Sequence, residues 1–141
     1  MLVGVDSDAE GMMPDQLDRV CSEHHPRLLY CIPTIHNPTT ATMSLQRRKD
    51  ILAVAQHHHL TIAEDDPYSL LMENPLPALA ALDHGRVSYI ATLAKTLSPG
   101  LRTAYVALPN PDMARRVTAA IRALALTNAG LLSALAARWM Q

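Results

Sequence analysis

The side chains best suited to chemistry are concentrated in a few short segments: Asn37-Pro38-Thr39, then Asp65-Asp66-Pro67-Tyr68, then Thr92-Leu93-Ala94-Lys95 running on to Ser98-Pro99-Gly100-Leu101-Arg102. They offer an amide, two adjacent carboxylates, a phenol, an amine, a guanidinium and several hydroxyls. Taken singly, each is ordinary loop chemistry: Asn-Pro starts turns, Asp-Asp-Pro ends strands, and a lysine after a strand is commonly solvated. Their position sets them apart. Each follows an apolar run of strand length, and ligands of open α/β sheets gather beyond the carboxyl ends of the strands.

Other reactive groups read as structure. His57-His58-His59 are consecutive, and consecutive helix residues point about 100° apart, so they cannot converge on one metal ion; they are expected to close a helix, where positive charge meets the negative dipole end. No metal site is expected. Arg47-Arg48-Lys49 reads as the solvated face of an amphipathic helix, His36 as a loop histidine, and Met12, Met13 and Met43 as packing residues. Cys21 and Cys31 are too few and too far apart for a disulfide framework, which leaves two reduced packing cysteines.

The elements that must position the reactive segments follow from hydrophobic periodicity. Leu2 to Val5 is a short apolar stub, and Pro14 to Glu23 carries Leu17 and Val20 at helical spacing. Arg27 to Ile32 has the length of a buried strand. After a polar loop from Thr34 to Thr42, Ser44 caps a helix whose Leu45, Ile51, Leu52 and Ala55 share a face. Strands are expected at Leu60 to Ala63, Val87 to Leu93 and Thr103 to Leu108, with a helix from Asn110-Pro111-Asp112 to about Leu124. The stretch 126–141, rich in Leu and Ala from Thr127 onward, reads as a tail helix too apolar to stand alone in water. Alternating strands and helices imply an α/β fold with a mostly parallel sheet and flanking helices. The link from Leu93 to Thr103 is too short for a crossover helix, so those two strands must be antiparallel if they pair, and the sheet mixed.

With 141 residues, a net charge of -1 and 49% hydrophobic residues, the chain holds one domain's worth of globular sequence. It lacks the basic stripe and aromatic interleaving of a nucleic-acid binder. No apolar run approaches the roughly 18 residues of a membrane helix, and Met1 to Glu10 has no leader pattern, so a cytoplasmic protein without membrane attachment is expected.

In this order, the segments resemble the cofactor-binding core of the fold-type-I, pyridoxal-phosphate-dependent aminotransferases of class I and II. "YCIPTIHNPTT" is similar to the family's strand and Asn-Pro-Thr-Gly loop, "IAEDDPYSLL" to its acidic strand end with Asp-x-x-Tyr, and "ATLAKTLSPGLRTAYVALP" to its Schiff-base lysine segment. Thr40, where most members have Gly, and the "ATM" after it are most similar to the aminotransferase-like domains of MocR-type GntR regulators and to 2-aminoadipate-like aminotransferases. The resemblance implies a cofactor, pyridoxal 5'-phosphate, with Lys95 as the imine-forming residue, since an attacking lysine must be neutral and burial beside a cationic cofactor lowers its pKa. It implies Asp65 as the anionic partner of the pyridine nitrogen, with Asp66 as the alternative. It further implies Asn37 and Tyr68 as donors to the phenolate oxygen, and Thr92 and Arg102 as phosphate ligands.

Ala94 departs from a serine often found before the lysine. The family's upstream phosphate loop, its ring-stacking aromatic residue and its carboxylate-binding arginine have no counterpart here. Residues 1–141 are therefore expected to form part of the large domain of a PLP-transferase, with the 126–141 helix packing on absent parts, and to be inactive and prone to associate in isolation. The expected whole is a homodimeric enzyme that moves an amino group between an amino acid and a 2-oxo acid. The alternatives are the effector-sensing domain of a MocR-type regulator, which would meet DNA only through an upstream domain, and a truncated remnant without function.

Overall fold

The computed structural model describes residues 1–125 and 130–139. In chain order, a small antiparallel hairpin, β1 (Ser7–Asp8) and β2 (Gly11–Met12), leads into helix α1 (Pro14–His24) and strand β3 (Leu28–Cys31). Then come α2 (Leu45–His57), β4 (Thr61–Asp66), a 3-10 turn at Ser69–Leu71, the short α3 (Leu79–Leu82), β5 (Val87–Thr92), β6 (Ala104–Ala107), α4 (Pro111–Ala125) and α5 (Gly130–Trp139).

The main sheet has the order β3-β4-β5-β6, with β3, β4 and β5 parallel and β6 antiparallel to β5. This is the mixed sheet expected from the short link between Leu93 and Thr103. Burial alternates along β3 and β4, as strand period requires: Leu29, Cys31, Ile62, Glu64 and Asp66 are buried, while Leu28, Tyr30, Thr61, Ala63 and Asp65 are more open. Helices α1, α2 and α3 supply the core partners on the buried face: Leu17 and Cys21, Ile51 and Ala55, and Leu79. Both cysteines are free and buried.

Helix α2 begins where expected, with the Ser44 hydroxyl accepting from the Arg47 backbone N–H at 3.2 Å. Its inner face differs from the expectation. Arg48, spaced with Ile51 and Ala55 at three and seven residues, is buried, whereas Leu45 is exposed and Leu52 only half-buried. The basic run is therefore not a solvated face: Arg47 pairs with Asp8 of the hairpin at 2.8 Å, and Lys49 alone is exposed. The histidine run closes α2 as expected, and His58 Nε2 meets Asp18 Oδ1 of α1 at 2.7 Å.

The tail helix expected from Thr127 is described from Gly130 to Trp139; residues 126–129 and 140–141 lie outside the described residues. Ala136, with Leu132 and Leu135, packs on Leu93 and Leu101 of this same chain, while Leu131 and Trp139 face outward.

Candidate functional site

Because β3, β4 and β5 run parallel, Cys31, Asp66 and Thr92 all end at one edge of the sheet. In β6, Ala104 lies opposite Thr92, so Arg102 enters from that edge too. The topology thus brings Asn37, Asp65, Tyr68, Thr92, Lys95 and Arg102 to a single edge, although they are spread over 66 positions of sequence from Asn37 to Arg102.

The two adjacent carboxylates have separate fates. Asp66 faces the helix-covered side, where its Oδ1 accepts from the Ser69 backbone N–H at 3.0 Å and its Oδ2 from the Tyr89 hydroxyl at 2.7 Å. Burial, together with the hydrogen bond to Asp66, pushes the Tyr89 hydroxyl up to about 12, so it remains a donor. Asp66 is thereby committed to holding the turn that follows β4. Asp65 faces the opposite, open side and receives the Tyr30 hydroxyl on Oδ2 at 2.6 Å. Among the described residues, nothing donates to its Oδ1. Of the two, Asp65 is the one with an oxygen to spare.

Asn37 sits at the tip of the loop between β3 and α2, and its peptide bond to Pro38 is cis. The loop is closed by backbone bonds from His36 to the Ala41 carbonyl at 2.8 Å and from Met43 to the Pro33 carbonyl at 2.9 Å. Arg48 holds it from beneath, donating to the Thr34 hydroxyl at 2.8 Å, the Met43 carbonyl at 3.2 Å and the Pro33 carbonyl at 3.4 Å. Burial lowers the Arg48 pKa, and the Glu64 and Asp66 carboxylates work against that shift. Glu64 is itself raised by burial, and two backbone donors at the start of α3, Leu79 N–H and Ala80 N–H, each at 2.9 Å, oppose the rise.

Tyr68 is half-buried at the start of the 3-10 turn, where its carbonyl accepts from the Leu71 N–H at 2.9 Å. Beyond β5, the Thr92 hydroxyl accepts from the Ala94 N–H at 3.2 Å, and the buried Leu93 and Leu101 anchor the loop between them. Lys95 and Arg102 are exposed on that loop. The Thr96 hydroxyl next to Lys95 is buried, and among the described residues it has no hydrogen-bond partner.

The sequence does not mark Tyr30 or Glu64, and it assigns Arg48 to a solvated face. Tyr30 alternates with the buried Leu29 and Cys31, which places it on the face opposite to theirs, but only the β3–β4 register shows that Asp65 shares that face. For Arg48 the signal is its helical spacing to Ile51 and Ala55, which places it on the inner face despite the charge run.

The family model described as "Aminotransferase class I and II" matches residues 6–141. The uncharacterized HTH-type transcriptional regulator YdeF of Bacillus subtilis is 39% identical over 137 residues, covering 97% of this chain and 29% of the regulator. Among solved structures, aminotransferase Aro8 from Candida albicans superposes with a TM-score of 0.86 at 28% identity, over 95% of this chain and 33% of that one. LysN, an α-aminoadipate aminotransferase from Thermus thermophilus complexed with N-(5'-phosphopyridoxyl)-L-leucine, gives 0.83 at 32% identity, over 89% and 34%. The chain therefore spans about a third or less of the length of each of these proteins.

Proposed function

We propose that this chain, which belongs to the aminotransferase class I and II family, forms the lysine-bearing part of a pyridoxal 5'-phosphate site that, in the full-length protein, moves an amino group between an amino acid and a 2-oxo acid. One observation carries this reading: Lys95 and an Asp65 oxygen that has no donor among the described residues share one sheet edge with Asn37, Tyr68, Thr92 and Arg102.

The donor set suits the group. Asp65 can accept from a protonated ring nitrogen, Asn37 and Tyr68 can donate to a phenolate, and Thr92 and Arg102 can bind a phosphate. The Thr96 hydroxyl, buried and without a partner among the described residues, marks the Lys95 loop as short of polar contacts that a ligand could supply. When bound, pyridoxal phosphate supplies an aldehyde carbon and a ring able to take up the electron pair released from a substrate. Lys95 Nζ would be the amine that holds the cofactor through its aldehyde and that, once released, would carry a proton to and from the substrate, while the Asp65 carboxylate would keep the ring nitrogen protonated.

The test is borohydride reduction of the full-length protein with added pyridoxal phosphate. A stable adduct is expected at Lys95, lost in Lys95→Ala and kept in Lys49→Ala, which removes the only other lysine of this chain. An adduct that persists elsewhere in the Lys95→Ala protein overturns the assignment.

A second reading keeps the same site and makes it a sensor, in which ligand chemistry shifts a conformational equilibrium. The likeness to YdeF across 97% of this chain supports it. A DNA-binding domain encoded in the same reading frame, with ligand-dependent DNA affinity and no turnover of amino donors, would select this reading; steady transamination would select the first.

A further inference from the structure

The open face of β3 and β4 holds a hydrogen bond that joins residues 35 positions apart, from the Tyr30 hydroxyl to Asp65 Oδ2 at 2.6 Å. Tyr30 pairs in register with Ala63, so Asp65 lies two residues further along the neighbouring strand, on the same face. That diagonal is about 7–8 Å, within reach of a phenol ring and beyond a short side chain. The contact is thus built by register and by the choice of tyrosine, and Tyr30 is otherwise a large, exposed aromatic residue.

We propose that Tyr30 is the positioning residue for Asp65: its hydroxyl fixes Oδ2 and leaves Oδ1 as the oxygen presented to the cofactor's ring nitrogen. This rests on the cofactor site proposed above. A carboxylate on an open sheet face rotates freely about its last bond unless one oxygen is held, and loss of that freedom on binding weakens affinity. A short bond to a charged acceptor is among the stronger hydrogen bonds available for the purpose. The donor is secure: partial burial and the neighbouring carboxylate push the Tyr30 hydroxyl up to about 12. Asp66 provides the contrast on the adjacent residue, because both of its oxygens are already occupied within the chain.

The experiment is a double-mutant cycle in the full-length protein, with the dissociation constant of pyridoxal phosphate measured for wild type, Tyr30→Phe, Asp65→Ala and the double variant. The thermal unfolding of each cofactor-free protein is followed in parallel. Tyr30→Phe should weaken binding about tenfold, in line with a hydrogen bond to a charged group, while leaving the cofactor-free melting temperature in place. In the Asp65→Ala background the same change should do nothing further. The NMR shift of an isotope-labelled ring nitrogen should move in Tyr30→Phe toward the value found in Asp65→Ala, which a purely structural role would not produce. Unchanged affinity in Tyr30→Phe alongside weakened affinity in Asp65→Ala overturns the positioning role and leaves the site standing. Equal loss on both backgrounds also overturns it, since Tyr30 would then act without Asp65. A wild-type protein that neither binds nor is trapped by borohydride refutes the site, and the positioning role with it.

Discussion

The Arg48 guanidinium donates a 2.8 Å hydrogen bond to the Thr34 hydroxyl, tying the buried face of α2 to the loop that carries Asn37. Arg48 also reaches the Pro33 and Met43 carbonyls, so one side chain spans both ends of that loop. Near it lies Glu64, whose carboxylate receives the first backbone donors of α3. The loop that presents an amide to the sheet edge is therefore set by a buried charge on the helix that follows it.

Replacing Arg48 by Met should destabilise the full-length protein by at least about 1–3 kcal/mol, the usual cost of leaving buried polar groups without their hydrogen-bond donor. The carbonyls of Pro33, Met43 and Pro77 and the Thr34 hydroxyl would lose their donor. Chemical denaturation measures the loss, and limited proteolysis near Asn37 should become faster. Arg48→Lys should recover only part of the stability, because an ammonium cannot reproduce the planar fork.

Glu64 makes stability depend on pH with a definite sign. Burial raises its pKa above the ordinary 4.5, so the folded state holds the proton more tightly than the unfolded state does. The stabilisation from this group is fully present below about 4.5 and is lost as pH rises through the folded value. In Glu64→Gln that dependence disappears. The stability of wild type minus that of the variant should fall as pH is raised from below 4.5 toward neutrality; a difference independent of pH would refute the assignment. The lost acceptor in the glutamine variant moves the whole difference up or down without altering its slope.

Much of this organisation was legible in the sequence because strand runs are short, apolar and followed by polar turns. Arg27 to Ile32 contains β3, and Val87 to Leu93 contains β5. The antiparallel β6 followed from the length of one link. The β1–β2 hairpin was not legible: its strands have two residues each, too few to show alternation, and Gly11, at φ +92°, opens the second strand directly after the turn at Ala9 and Glu10. The Asp65–Asp66 alternative stayed open for a different reason. Adjacent strand residues always point to opposite faces, but which face is open depends on where α1, α2 and α3 pack, and that is a tertiary fact. Tyr30 belongs to the same class of information, since its partner is defined by register between strands.

Thr40 adopts φ +60°, a left-handed conformation that a β-branched residue tolerates poorly. The family's usual glycine at this position has a backbone reason. Thr40→Gly should relieve about 1–2 kcal/mol of strain and return about 0.4–1 kcal/mol of it through the freer unfolded chain, for a net gain between about 0 and about 1.6 kcal/mol. Among the described residues its hydroxyl bonds only to the neighbouring Thr39 carbonyl, at 2.6 Å, so little else is lost. A higher denaturation midpoint at unchanged slope is the expected result, and a lower midpoint would show that the threonine makes a compensating contact.

Asp65 and Asp66 should separate cleanly into a ligand-facing and a structural carboxylate. Asp66→Ala removes the acceptor of both the Ser69 N–H and the Tyr89 hydroxyl. Tyr89 is half-buried, so its hydroxyl cannot simply turn to water, and the expected loss is about 1–3 kcal/mol in the cofactor-free protein. Asp65→Ala frees only Tyr30, which is exposed at 57% and can be solvated where it stands. Its effect on cofactor-free stability should stay within about 0.5 kcal/mol, while cofactor retention during gel filtration falls sharply. Cofactor loss in Asp66→Ala should track its lowered stability and be restored at low temperature, whereas the loss in Asp65→Ala should persist on cooling. The reverse pattern, with Asp65→Ala melting early and Asp66→Ala failing only in retention, would exchange the two roles and place the ring nitrogen on the helix-covered side of the sheet.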